Sequence, residues 1–135
     1  MTGQAARHTI FPVNIFRANI KPGDFGLLTS MEFEILLSLA GSELHGYAIL
    51  QDIRERSGGT LTVRAGTLYR AISRLLDARL IAELDRSAKR SASDDERRRY
   101  YSITRLGRQV ATVESQRLAR QLETARARKL LKSNS

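Results

Sequence analysis

Apolar residues recur at Leu68, Ala71, Ile72, Leu75 and Leu76, the i, i+3, i+4, i+7, i+8 rhythm of one helix face. That spacing predicts a helix over residues 66–78, with Thr67, Arg70, Arg74 and Asp77 on its opposite face. Arg70 and Arg74 stand four apart, and like charges at that spacing cost an isolated helix about 0.2–0.5 kcal/mol. A short helix tolerates this either because water and salt screen it or because a partner supplies negative charge.

The pattern upstream predicts two more helices. In "TSMEFEILLSLAG", Thr29 is a natural N-cap and Glu32 completes a capping box. Ile35, Leu36, Leu37 and Leu39 build a broad apolar face, and Gly41 ends it. In "HGYAILQDIRERSGG", Tyr47, Ile49, Leu50 and Ile53 form the stripe expected to be buried, and Gly58 and Gly59 stop the helix. The stretch "TLTV" that follows is long enough only for a strand fragment.

Downstream the period changes from helical to alternating. Leu80, Ala82 and Leu84 alternate with Ile81, Glu83 and Asp85. After the polar run "SAKRSASDDE", Arg98, Tyr100 and Ser102 alternate with Arg99, Tyr101 and Ile103. Two strands around a long polar tip predict a hairpin with residues 85–98 as a wing. From Arg105 to Lys132 there is no proline, and Leu106, Val110, Val113, Leu118, Leu122 and Ala125 make a helical stripe with one phase slip. Such a helix leaves a narrow apolar seam that its own chain cannot cover, and a second subunit is the natural remedy.

Residues 1–28, with Pro12, Pro22, Gly23 and Gly26, show no sustained period. Phe11, Val13, Ile15 and Phe16 are read either as a packed arm or as part of a disordered tail. The expected organisation is an extension over 1–28, a DNA-binding domain over 29–104, and a C-terminal dimerisation helix and tail over 105–135. The expected fold class is mainly α with a small β-hairpin wing (α+β), a winged helix-turn-helix. In that architecture the third helix enters the major groove and the wing touches backbone or minor groove.

Charge sharpens this picture. The 135 residues carry a net charge of +9. Residues 1–63 hold 5 Lys and Arg against 6 Asp and Glu, whereas residues 64–135 hold 18 against 8. The positive charge therefore begins at the third helix. Nineteen of the 23 basic residues are arginine, the side chain suited to bidentate contacts with phosphate and guanine. A GC-rich coding sequence would raise the arginine share equally well.

With no cysteine, disulfides and cysteine-based zinc sites are excluded. No apolar run approaches the ~20 residues of a membrane span and no signal-peptide pattern opens the chain, so the expectation is a cytoplasmic protein without membrane contact.

The motifs "HGYAI", "AGTLY", "YYSIT" and "LGR", in this order and spacing, resemble the PadR family of bacterial transcriptional regulators over about residues 29–110. The resemblance implies a homodimeric winged-helix DNA-binding protein, usually a repressor, that dimerises through its C-terminal helix. It also implies that some members release DNA on binding a small apolar effector. The short C-terminal region is similar to the smaller subgroup with a single C-terminal helix. Three positions depart from the family pattern: Arg70 stands where "GTLYP" has proline, Arg79 where a glycine precedes "LI", and Arg105 where an acidic residue often precedes "LGR".

The candidate DNA contacts are Arg64, Thr67, Tyr69, Arg70 and Arg74 on the third helix, and Lys89, Arg90, Arg97 and Arg98 on the wing. For Tyr69 the alternative is closing the core. For Thr67 it is a local helix cap. For the arginine run it is neutralisation by Asp94, Asp95 and Glu96. Phe33, Leu37, Val110 and Val113 are candidates for an effector pocket or plain dimer core, and Leu106, Leu118 and Leu122 for dimerisation. His45 is assigned a structural role rather than a metal or proton-switch role, and no cofactor or metal is expected. No Ser/His/Asp grouping, phosphate loop or paired carboxylate points to catalysis, so the chain is not read as an enzyme. The rival readings are a winged-helix module for an acidic protein and an RNA-binding protein. The second has only eight Tyr and Phe and no tryptophan with which to stack bases.

Overall fold

A computed structural model describes residues 28–84 and 99–132 of the chain. Helix α1 spans Ser30–Gly41, strand β1 Leu44–His45, α2 Gly46–Arg56 and α3 Ala65–Asp77. Strands β2, Ile81–Leu84, and β3, Tyr100–Ile103, precede α4, Arg105–Ala127. The architecture is mainly helical with a small antiparallel sheet of order β1-β3-β2, as the sequence pattern predicts for a winged helix.

The helix starts follow capping chemistry. Thr29 accepts from the Glu32 backbone N–H at 3.1 Å, and the Glu32 carboxylate accepts from the Thr29 N–H at 2.8 Å, so the expected capping box is present. At α2 the imidazole Nδ1 of His45 accepts from Ala48 N–H at 3.2 Å. Its ring meets Tyr100 edge-on at 5.2 Å, beside the β1–β3 pairing of His45 with Tyr100. Histidine here serves as a cap and a strand residue. Gly58 and Gly59, at φ of +64° and +81°, turn the chain out of α2.

Three expectations need correction. The short strand lies before the second helix, at Leu44–His45, and not at residues 60–63, which form no strand. Two residues cannot hold a strand alone; β1 exists because β3 passes beside it and takes its hydrogen bonds. Tyr47 is 58% exposed and so leaves the expected buried stripe of α2, of which Ile49 and Ile53 are fully buried. Leu37 likewise lies outside the core, at 39% exposure. The core faces of α1 and α2 are narrower than the apolar runs in their sequences.

The core unites Ile35, Leu36 and Leu39 of α1, Ile49 and Ile53 of α2, and Leu68, Ala71, Ile72 and Leu75 of α3. Leu80, Ile81, Tyr101 and Val110 close it from the sheet and α4. At the surface, Arg56 bolts α2 to α1. It donates to Asp52 Oδ2 at 2.8 Å, to Glu34 Oε1 at 2.7 Å and to Ser38 Oγ at 2.7 Å. The Arg56 hydrogen bond holds the Asp52 carboxyl below its ordinary value, reinforced by Ser38 and opposed by partial burial.

One knot ties α3, the hairpin and α4 together. Thr104 caps α4 by accepting from Gly107 N–H at 3.0 Å and donates its hydroxyl to Arg79 O at 2.8 Å. A Cβ on Gly107 would lie 2.0 Å from the Leu80 carbonyl oxygen, so only glycine lets α4 start this close to β2. Arg79 itself sits at φ 64° in the left-handed region. There its N–H bonds to Leu76 O, and the Leu80 N–H bonds back to Leu75 O. This is the reversal that ends a helix and usually takes glycine.

Candidate nucleic-acid interface

Helix α3 presents two unlike faces. Leu68, Ala71, Ile72 and Leu75 are at most 2% exposed. Arg64, Thr67, Tyr69 and Arg70 are all exposed. Its N-cap, Arg64, is extended and makes no side-chain capping bond, so the first-turn N–H groups are not covered by a side chain. The guanidinium of Arg70 folds back over this end. Its Nη2 lies 3.4 Å from Thr67 Oγ1, and its Nη1 lies 3.4 Å from where a Cβ on Gly66 would stand. An exposed cation beside free backbone donors at a helix start is an anion-receptive arrangement.

Arg74 differs from Arg70. Its Nε donates to Glu32 Oε2 at 2.9 Å, and Glu32 is 1% exposed against 33% for the arginine side chain. The repulsion expected between Arg70 and Arg74 is therefore met inside the molecule, by a carboxylate 42 residues away in sequence. No local pattern announces such a pair. The Glu32 signal, taken from the capping box alone, accounts for only one of its two oxygens.

Tyr69 is 47% exposed. Its hydroxyl occupies the space above Gly46, where a Cβ would come within 2.1 Å of it. The "HGY" and "GTLY" segments thus meet across the α2–α3 contact. Tyr69 packs with its ring on α2 while keeping part of its surface in solvent.

Of the wing, strands β2 and β3 are described, together with Arg99. Arg99 is 75% exposed, with its Nε 3.7 Å from Glu83 Oε2 across the hairpin. The four candidate wing contacts, Lys89, Arg90, Arg97 and Arg98, lie outside the described residues.

The structure separates the four candidate pocket or dimer residues. Val110 is 3% exposed and belongs to the core. Phe33 is half-buried against that core. Leu37 and Val113 are exposed, at 39% and 44%. Of the four, only Leu37 lines the open groove between α1 and α2, with Leu44, Tyr47 and Asp52 among its other walls. On α4, Leu106 packs on the core, Leu118 is half-buried and Leu122 is 48% exposed. Glu114, 7% exposed, is paired with Arg117, which donates to it at 2.9 Å and holds its carboxyl below the usual value. No described helix is long and apolar enough to cross a membrane.

Comparison with known proteins is consistent with this geometry. The model of the transcriptional regulator PadR-like family matches residues 35–113. No curated protein matches the chain significantly. Among solved structures, a PadR family transcription regulator from Clostridium difficile R20291 aligns with a TM-score of 0.63 at 24% identity, over 76% of this chain and all of that one. A transcriptional regulator from Clostridium thermocellum aligns with a TM-score of 0.61 at 21% identity, over 75% of this chain and 97% of the other. The protein smu.1704 from Streptococcus mutans UA159 aligns at 0.59 and 18% identity, over 77% and 92% of the two chains. At these identities the likeness is one of fold.

Proposed function

Since the chain belongs to the PadR-like family of transcriptional regulators, a family of regulators and not of enzymes, we propose that it is a sequence-specific double-stranded DNA-binding repressor acting as a homodimer. The observation that carries this reading is the outward face of α3, where exposed Arg64, Thr67 and Arg70 surround a helix start with no side-chain cap. In the major groove that face would meet one phosphate per ~1.7 Å of duplex axis. Arg70 is the foremost candidate for a base edge, and Arg64 with the free N–H groups for a phosphate. Tyr69 would reach a phosphate from its seat on Gly46. The wing arginines and Lys89 would touch backbone or minor groove.

Dimerisation through α4 would bury Val113, Leu118 and Leu122. Of the two roles open to Phe33, Leu37, Val110 and Val113, dimer core is favoured, because Leu37 and Val113 are exposed on α1 and α4 while Val110 and Phe33 pack into the core of the same chain. A small apolar effector, if one acts on this protein, would enter beside that interface. The two α3 helices would then read inverted half-sites about one helical turn (~10 bp), or a small multiple, apart.

Selection from random double-stranded DNA at about 150 mM salt, which suppresses non-specific phosphate binding, tests this reading. An enriched inverted repeat with fixed half-site spacing is the expected result. Folded protein that enriches no motif overturns it, and turns attention to acidic proteins and RNA.

A further inference from the structure

We propose that Glu32 is a positioning residue for DNA recognition: its carboxylate fixes the guanidinium of Arg74 so that the terminal nitrogens present paired donors to an acceptor pair on the duplex. The inference rests on the reading above, and names a residue that the helix-capping pattern assigns only to α1.

Glu32 is fully buried, yet its two oxygens face different ways. Oε1 accepts from Thr29 N–H at 2.8 Å and Oε2 from Arg74 Nε at 2.9 Å. The cap needs only an acceptor, and glutamine serves in a capping box as glutamate does. The buried charge is therefore in excess of what α1 requires. A link built only to hold α1 to α3 would gain most from a bidentate fork, two guanidinium N–H groups on two carboxylate oxygens. Here one oxygen is held by the cap and one N–H of Arg74 is used. Nη1 and Nη2 make no hydrogen bond among the described residues, and neither is shut off from solvent.

Helical spacing places Arg74 within about 60° of both Thr67 and Arg70 around the α3 axis, on the face argued to meet DNA. Arginine's planarity then matters. Anchoring Nε fixes the plane of the whole group, so the outer edge is already oriented before binding. Less side-chain entropy remains to be lost in the complex. Two ligands fit that edge: the O6 and N7 of a guanine, or two oxygens of one phosphate.

The test uses the full chain, a duplex selected by the wild-type protein, and a scrambled duplex of equal length and composition. Two variants separate positioning from folding. Glu32→Gln keeps the cap acceptor and removes the charge. Arg74→Lys keeps a cation for Glu32 and removes the fork. Arg74→Ala is avoided because it would strand a buried carboxylate.

Arg74→Lys is expected to weaken binding to the selected duplex about tenfold or more. Glu32→Gln should weaken it several-fold, and the double variant should bind no worse than Arg74→Lys alone, the signature of two residues acting through one contact. Loss confined to the selected duplex identifies a base edge. Equal loss on both duplexes, with the salt slope lowered by about 1, identifies a phosphate. Variants that bind both duplexes like wild type and differ only in melting temperature overturn the proposal, leaving a structural ion pair. Additive losses overturn it too. A wild-type protein that selects no duplex removes the DNA reading itself, before any variant is compared.

Discussion

Helices α3 and α4 are both amphipathic, and they leave opposite faces open. Helix α3 buries Leu68, Ala71, Ile72 and Leu75 of its stripe, with Leu76 half-buried beside them, and turns Arg64, Thr67 and Arg70 to solvent. Among the described residues, helix α4 buries Gly107, Val110, Ala111 and Glu114, all in its first half. Val113 and Leu122 are 44% and 48% exposed. The first helix is saturated in apolar contacts and open to an anion. The second is open to an apolar partner. The two helices are thus open to different chemistry, which is what the proposed dimeric DNA reader would need.

The largest effect that would sharpen this comparison is on stability. Leu75→Ala should cost about 2–5 kcal/mol in the urea-unfolding free energy, because it opens a cavity in a closed core. Leu122→Ala should leave unfolding of the monomer within about 0.5 kcal/mol, as surface substitutions do. Instead it should shift sedimentation toward monomer on dilution. If Leu122→Ala destabilises the monomer as much as Leu75→Ala does, the contrast between the helices fails.

The polar face of α3 comes next. Arg70→Ala should reduce affinity for a selected duplex by about 1–3 kcal/mol and leave the melting temperature nearly unchanged. A change of the opposite kind, in stability but not in affinity, would assign Arg70 to the fold.

A smaller effect is expected at the junction between the two helices. Arg79 adopts φ 64°, where a side chain is strained and glycine is not. Arg79→Gly should stabilise the protein by about 0.5–1 kcal/mol in thermal unfolding. A loss would mean that the arginine side chain contributes more than the backbone strain costs.

The smallest effect is a pH dependence at the α1–α2 contact. The hydrogen bond from Arg56 lowers the Asp52 carboxyl from its ordinary value of 3.8. A depressed folded value stabilises the protein above the unfolded value and is lost as pH falls through the folded one. Wild type should therefore lose stability below about pH 4 more steeply than Asp52→Asn. Side-chain exposure of 37% keeps the difference small. Parallel acid-unfolding curves would show that the pair adds nothing.

Local chemistry was legible in the linear pattern where neighbours in sequence are also neighbours in space. The capping box of Thr29 and Glu32, the stop at Gly58 and Gly59, and the buried stripe of α3 are all settled within four residues along the chain. The exposed basic face of α3 follows from the same periodicity, since whatever lies opposite a buried stripe faces out. The wing's strands were legible as alternation, and among the described residues four of each pair.

Contacts between distant residues were decided by the packing. Strand β1 is two residues long and reads as loop until β3 is laid beside it. Tyr47 and Leu37 carry side chains fit for a core, but the packing of α1 and α2 turns them to the groove between the helices. The Arg74 ion pair joins positions 42 apart, and the collision that demands glycine at 107 is with a carbonyl of Leu80. Periodicity reports which face of a helix is apolar, because that depends on a 100° step between residues. It cannot report what stands against that face, because the docking of one element on another is set by shape and by the few polar groups that burial obliges to find a partner.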